Sequence, residues 1–220
     1  MQKTGIIWDL DGTLLDTLED LTDAVNYALA CFGCPGRSIE EVRSFVGNGA
    51  GLLIRRALPG QEGDPDWQEV FACFKSYYDA HCRVKTAPYR GIMPLLAKLK
   101  QMGYPMAVVS NKPDSAVKIL CQEHFGVELF AVTTGEIDGC PRKPAPDMVY
   151  RALDAMGLPA ERCIYVGDSE VDVQTAQNVP MRCISVLWGF RDEDFLRQNG
   201  GAFFCKKPEE FLDMLREMEA

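Results

Sequence analysis

Beyond Pro88 the chain repeats one pattern: a short apolar run, a turn or capping residue, then an amphipathic stretch at helical spacing. Short apolar runs that alternate with helices mark parallel strands joined by helical crossovers, because such a sheet is covered on both faces. The expected strands are 106–110, 129–133, 163–167, 183–187 and 202–204, and the expected helices 92–102, 114–124, 147–156, 171–178 and 208–218. Gly5 to Leu10, rich in isoleucine and stopped by Asp11-Gly12, reads as one more buried strand of the same sheet.

Residues 17 to about 86 read differently, as helix throughout. Leu21, Val25, Ala28, Leu29 and Phe32 recur at helical spacing until Gly33, and Ser38 with Glu41 has the pattern of a capping box. A third helix spans 48–58 up to Pro59-Gly60. Asp64-Pro65 caps a fourth through Trp67, Val70, Phe71, Phe74, Tyr77, Tyr78 and His81. The expected architecture is α/β: a doubly wound parallel sheet core made of 1–16 and 88–220, with an all-helical domain, 17–87, inserted after the first strand.

A chain of 220 residues is longer than an average domain, which leaves room for such an insertion. Its 23 Lys+Arg against 32 Asp+Glu give a net charge of −9, a repulsive field for polyanions. Nucleic acid and anionic membrane are therefore not expected partners, and an anionic ligand must be small and met locally. No apolar stretch approaches the roughly 18 residues a membrane-spanning helix needs, and the start has no signal-like apolar region, so a cytoplasmic location is expected. The nine cysteines are odd in number and lie in apolar contexts, as reduced thiols do. Cys31 and Cys34 form a lone CxxC; without a second such pair, and with only His81 and His124 in the chain, core or loop thiols fit better than zinc.

The chemistry-bearing residues cluster where the expected strands end, and in open parallel sheets ligands bind beyond the carboxyl ends of strands. Asp9-Leu10-Asp11-Gly12-Thr13 puts two carboxylates one residue apart, so that in extended backbone one could act on a ligand atom while the other handles its proton. The plainer reading is a turn at Asp11-Gly12. Gly167-Asp168-Ser169-Glu170-Val171-Asp172 adds further acids, and a hard divalent cation such as Mg²⁺ relieves the repulsion of carboxylates gathered in one crevice. Alternatively Asp168 or Ser169 only caps the next helix. Ser110-Asn111-Lys112-Pro113 offers a hydroxyl and helix-start amides to a phosphate oxygen, or a simple cap. Lys143, before Pro144, could neutralise both the acids and an incoming phosphate, or be a surface lysine in a stiff loop.

These four clusters, in this order and over the whole chain, resemble the motifs of the haloacid dehalogenase superfamily of phosphotransferases. The resemblance implies a Rossmann-like catalytic core and a helical cap. It implies Asp9 as a nucleophile that becomes an aspartyl-phosphate, and Asp11 as the acid that protonates the leaving oxygen and later activates water. Thr13, Ser110, Asn111 and Lys143 would hold phosphoryl oxygens. Mg²⁺ would be held by Asp9, the Asp11 carbonyl and Asp168, with Asp172 supporting. Such a nucleophile suits phosphoryl transfer, which depends mostly on positioning and charge neutralisation.

Within the superfamily, the strings from Trp8 to Leu21 and from Phe45 to Leu58 look most like phosphoglycolate phosphatases. That likeness implies hydrolysis of a small phosphorylated metabolite, with phosphoglycolate the leading substrate. It also implies a cap loop around Asn48, with Arg43, Arg55 or Arg56 facing the far end of the substrate. β-Phosphoglucomutases share the four motifs but carry a cap-hinge histidine where this sequence has Leu21, and dehalogenases generally lack the second acid of the pair, here Asp11. Pyrophosphatase activity stays open. A non-catalytic regulatory module of the same fold would usually have lost the nucleophile, and Asp9, Asp11, Lys143 and Asp168 are all present.

Overall fold

The computed structural model describes residues 3–61 and 63–219. In chain order the elements are β1 (Gly5–Trp8), β2 (Leu15–Asp16), α1 (Leu18–Cys31), α2 (Ile39–Phe45), α3 (Ala50–Ala57), α4 (Trp67–His81), β3 (Ala87–Pro88), α5 (Ile92–Gln101) and β4 (Met106–Pro113). There follow α6 (Asp114–Phe125), β5 (Thr133–Glu136), α7 (Asp147–Met156), β6 (Cys163–Gly167), α8 (Glu170–Asn178), β7 (Arg182–Val186), α9 (Glu193–Gln198), β8 (Phe203–Cys205) and α10 (Phe211–Glu219). The chain divides into two compact units, 1–15 with 88–220, and 16–87.

The first unit is built on a six-stranded parallel sheet in the order β5-β4-β1-β6-β7-β8. β1 sits inside it, Ile6 lying opposite Met106 on one side and Ile164 on the other. The period-two geometry of a strand splits its side chains between two cores. Ile6 and Trp8 join Val108, Ile164, Leu96, Leu99 and Phe211 on one face, and Ile7 joins Ala107, Val109, Tyr165, Met148 and Val149 on the other. β4 and β6 flank β1: the chain runs from β1 through β4 to β5 at one edge, then crosses back to β6 and goes on to β8 at the other. The ends of these three strands therefore open on a shared crevice, and this is where the clustered acids lie.

The strand expected at 129–133 forms instead at Thr133–Glu136. Phe130 turns into the core beside α6, the Ala131 amide donates to Met106 O of β4 (2.7 Å), and residue-for-residue pairing starts with Val108 opposite Thr133. The last strand, expected at 202–204, is Phe203–Cys205. α9 was not legible in the sequence, since a six-residue polar helix with one buried side chain, Leu196, has no apolar period to detect; Asp192 starts it by accepting a hydrogen bond from the Phe195 amide (2.9 Å).

The second unit is helical, α1 packing on α4 and α2 and α3 completing it. Leu21, Ala24, Val25, Ala28 and Leu29 are the buried stripe of α1, and Val70, Phe74 and Tyr78 that of α4. Ser38 and Glu41 form the expected reciprocal cap, at 3.2 and 2.8 Å. The cap of α4 is Asp66 rather than Asp64; the Asp64 carboxylate instead closes a turn by accepting from the Gly60 and Gln61 amides. Buried Asp20 ties the start of α1 to the chain after α4, accepting from the Lys85 amide (3.0 Å), the Thr86 amide (2.9 Å) and the Thr86 hydroxyl (2.8 Å).

Candidate active site

Asp9 follows β1 directly, and its amide still donates to Val166 O in the sheet (2.8 Å), so the strand direction fixes where its carboxylate starts. The Lys143 ammonium lies 2.9 Å from Asp9 Oδ1 and 2.8 Å from Asp172 Oδ1, bridging the acid after β1 and one in the first turn of α8. All three side chains are buried. Lys143 is held from two sides. Its ammonium lies over the Tyr165 ring, and the Asn111 side-chain amide pairs with its main chain, accepting from the Lys143 amide (2.8 Å) and donating to its carbonyl (3.0 Å). Asn111, expected to hold a phosphoryl oxygen, has its side-chain amide on the Lys143 backbone, where it also braces Lys143.

Asp168 opens the loop after β6. Its Oδ2 accepts from the Phe190 amide (2.7 Å), and the Thr13 hydroxyl is 3.4 Å from its Oδ1. The loop after β7 closes over it at Gly189, where a Cβ would lie 2.2 Å from Gly12 O and 2.4 Å from Asp168 Cβ, so the approach requires glycine. Trp188 Nε1 donates to Thr13 O (2.9 Å) and steadies the other side of the acid-bearing turn. Asp172 starts α8 in a reciprocal cap, its Oδ2 accepting from the Ser169 amide (3.0 Å) and hydroxyl (2.6 Å). Ser110 is buried in β4, and its Oγ accepts from the Lys112 amide (3.3 Å).

Asp11 has a partner that the sequence reading left without a role. The Lys112 ammonium is 2.8 Å from Asp11 Oδ1, with 2 % of the lysine side chain and 14 % of the aspartate side chain exposed. The signal available in the sequence was its place two residues after Ser110, on the same face of an extended strand. Gly189 and Phe190 were also missed; a glycine just after the apolar run of β7 was the available signal there.

Burial dominates the electrostatics. It pushes the Asp9 carboxyl up from 3.8 to about 7, against the pull of Lys143, and Asp172 adds to the rise. Asp168 is raised well above its ordinary value by burial and by the charges of Asp172 and Asp9. Burial works against the charge on Lys143, but Asp172 and Asp9 outweigh it and raise its pKa well above 10.5. Burial and mutual repulsion raise both acids, so added positive charge between them would be favourable. Asp9, Asp168 and Asp172 each place a carboxylate oxygen within 4.8 Å of the others, and hard oxygen donors in this arrangement suit a divalent cation.

Arg55 and Arg56, two of the four expected residues of the helical unit, make side-chain contacts within that unit, which replaces nothing expected of them. The Arg55 guanidinium lies 3.9 Å over the Trp67 ring, and Arg56 donates to Phe45 O (2.8 Å). Arg43 is exposed and Asn48 half-buried in the turn between α2 and α3. No helix of the described residues is long and apolar enough to cross a membrane.

Comparison with known proteins shows what this chain is similar to. Phosphoglycolate phosphatase 1 of Pseudomonas aeruginosa is 34 % identical over 219 residues, which span 97 % of this chain and 77 % of that protein. The phosphoglycolate phosphatase of Photobacterium profundum is also 34 % identical, over 97 % of this chain and 93 % of its own. A crystal structure of a candidate phosphoglycolate phosphatase from Lactobacillus delbrueckii subsp. bulgaricus superposes with a TM-score of 0.90 at 36 % identity, covering 98 % of this chain and 99 % of the other. The haloacid dehalogenase-like hydrolase family model matches residues 6–186. With a match that begins in β1, just ahead of Asp9, and ends with the last residue of β7, this chain belongs to the haloacid dehalogenase-like hydrolases.

Proposed function

We propose that this chain is a Mg²⁺-dependent phosphatase that hydrolyses a small phosphomonoester through an aspartyl-phosphate, with phosphoglycolate as its leading substrate. The observation that carries the reading is the pairing of Asp9 with Lys143 at 2.9 Å, beside Asp168 and one residue from Asp11. A carboxylate oxygen of Asp9 attacks phosphorus while Asp11 gives a proton to the departing alcohol oxygen; Asp11 then takes a proton from the water that cleaves the acyl-phosphate. Lys143, Thr13, Ser110 and Asn111 hold the phosphoryl oxygens, and the Asn111 side chain also braces the Lys143 main chain. Asp9, Asp168 and the Asp11 carbonyl would hold Mg²⁺, with Asp172 supporting, and the ion would offset the charge of acids and phosphate in one crevice.

The helical unit, residues 17–87 in this reading, would act as a cap that supplies substrate contacts, with Asn48, Arg43, Arg55 and Arg56 as the candidate residues. The names of the relatives support phosphoglycolate as the substrate. Leu21, which has no donor or acceptor, supports water rather than a second sugar phosphate as the acceptor. The test is a panel of phosphomonoesters and pyrophosphate with Mg²⁺, ranked by kcat/KM. Phosphoglycolate is expected at the head, with phosphate released in step with ester loss. Preference for pyrophosphate, or transfer to a phosphosugar faster than release of phosphate, would overturn it.

A further inference from the structure

The helical unit carries a cluster of nucleophilic side chains that the acid crevice does not use. α1 and α4 run antiparallel, since Asp20 near the start of α1 meets Lys85 and Thr86 while Tyr27 further along meets Tyr77. The Tyr27 and Tyr77 rings stack at 4.1 Å, and His81 continues the stack on Tyr77 at 4.0 Å. One helical turn beyond Tyr27 is Cys31, and one turn before Tyr77 is Cys73, so the ring pair sets these two cysteines opposite each other. The Cys73 thiol and the Tyr27 hydroxyl both lie close enough to the Cys31 sulfur to interact with it. Cys31 is exposed and Cys73 half-buried, so the pair is open to a small reagent.

The neighbouring Cys34 of the CxxC does not join them; its thiol is directed to Phe32 O at 3.9 Å. Among the described residues, the one group of three or more metal-ligating side chains is Asp9, Asp168 and Asp172, so the cluster does not make a zinc site. Thiol–disulfide chemistry remains, and the facing pair is Cys31 with Cys73 rather than Cys31 with Cys34.

We propose that Cys31 and Cys73 form a thiol pair that a low-molecular-weight disulfide of the oxidised glutathione type converts into a cross-link between α1 and α4. Burial pushes the Cys73 thiol up, so the first attack falls to the exposed Cys31. The Cys31 thiolate attacks one sulfur of the reagent, forming a mixed disulfide and releasing one thiolate, which takes up the proton Cys31 gave up. Cys73 then loses its proton and attacks the Cys31 sulfur, closing the protein disulfide and releasing the second reagent thiol. Two protein thiols are oxidised and one reagent disulfide is reduced to two thiols. The bond would fasten α1 to α4 at the end away from the Asp20 hydrogen bonds.

The test treats the full chain with oxidised glutathione and follows it by intact-mass and non-reducing peptide mass spectrometry. The expected product is two hydrogens lighter than the reduced protein, reverts with dithiothreitol, and yields one linked peptide pair joining Cys31 to Cys73. Cys31→Ser and Cys73→Ser should each abolish the link, and Cys34→Ser should keep it. Mapping of the wild-type protein decides the matter even if a serine variant folds poorly. A Cys31–Cys34 link, a mixed disulfide that persists on Cys31, or an unchanged mass would each overturn the proposal.

Discussion

Each acid of the Asp9/Asp11 pair has its own buried lysine, Lys143 for the first and Lys112 for the second. The two lysines do different work in the proposed reaction. Replacing Asp9 by asparagine removes the nucleophile, and kcat is expected to fall by several orders of magnitude, on the order of 10³-fold or more. A purified, folded Asp9→Asn protein that keeps more than about a tenth of wild-type kcat would exclude the covalent route. Lys112→Met leaves Asp11 in its turn but removes the charge that fixes its carboxylate. A proton donor misplaced in this way should lose roughly 10- to 100-fold in kcat with little change in KM, and Lys112→Arg should recover part of the loss. Steady-state kinetics of the two variants on one phosphomonoester check this, and an equal loss in both would point to packing rather than charge. At this scale the sequence was legible for residue type. Asp9, Asp11, Lys143 and Asp168 stood out near strand ends and the family resemblance implied their roles, but the contacts of Lys112 and Asn111 were not legible, because their partners are 101 and 32 positions away.

Local periodicity specified most elements, because a stripe of apolar side chains is the same thing in the sequence and in the packed helix. The misses came where burial and hydrogen bonding pulled apart, as at Phe130, which enters the core before β5 begins, or where an element was too short and polar to have a period, as in α9. Two single residues test how elements are joined. Asp20 binds the chain after α4 through its carboxylate, so Asp20→Ala strands two amides and a hydroxyl and should cost about 2–4 kcal/mol. Denaturant unfolding should show a lower midpoint, and hydrogen exchange at the Lys85 and Thr86 amides should quicken before the strands of the sheet respond. Gly167 ends β6 against Asp172, and a Cβ there would lie 2.2 Å from Asp172 Cγ. Gly167→Ala should therefore displace the acid that helps hold Lys143, lowering kcat while far-UV circular dichroism stays unchanged.

For the molecule as a whole, the acid cluster couples stability to pH and to metal. Asp9 has a pKa of about 7 in the folded chain against 3.8 as its ordinary value, so between these limits the native state holds a proton that the unfolded chain has released. Stability of the metal-free protein should then fall as pH rises from about 4 to about 7, and the raised Asp168 extends the loss to higher pH. A cation that takes the place of those protons should raise Tm more at pH 8 than at pH 5. Thermal melts in EDTA and in Mg²⁺ at the two pH values measure this, and equal gains would count against a metal bound by these acids. What the sequence by itself determined was most of the strands and helices, the helical run after β1 and the placing of acids near strand ends, all of which depend on neighbours within a few residues. Only the tertiary structure decided that Lys112 meets Asp11, that Asn111 braces Lys143, and that Gly189 and Phe190 close over Asp168. Those contacts exist because β4, β1, β6 and β7 lie side by side. Strand order is settled by packing across the whole sheet, a non-local competition that no short window of sequence contains.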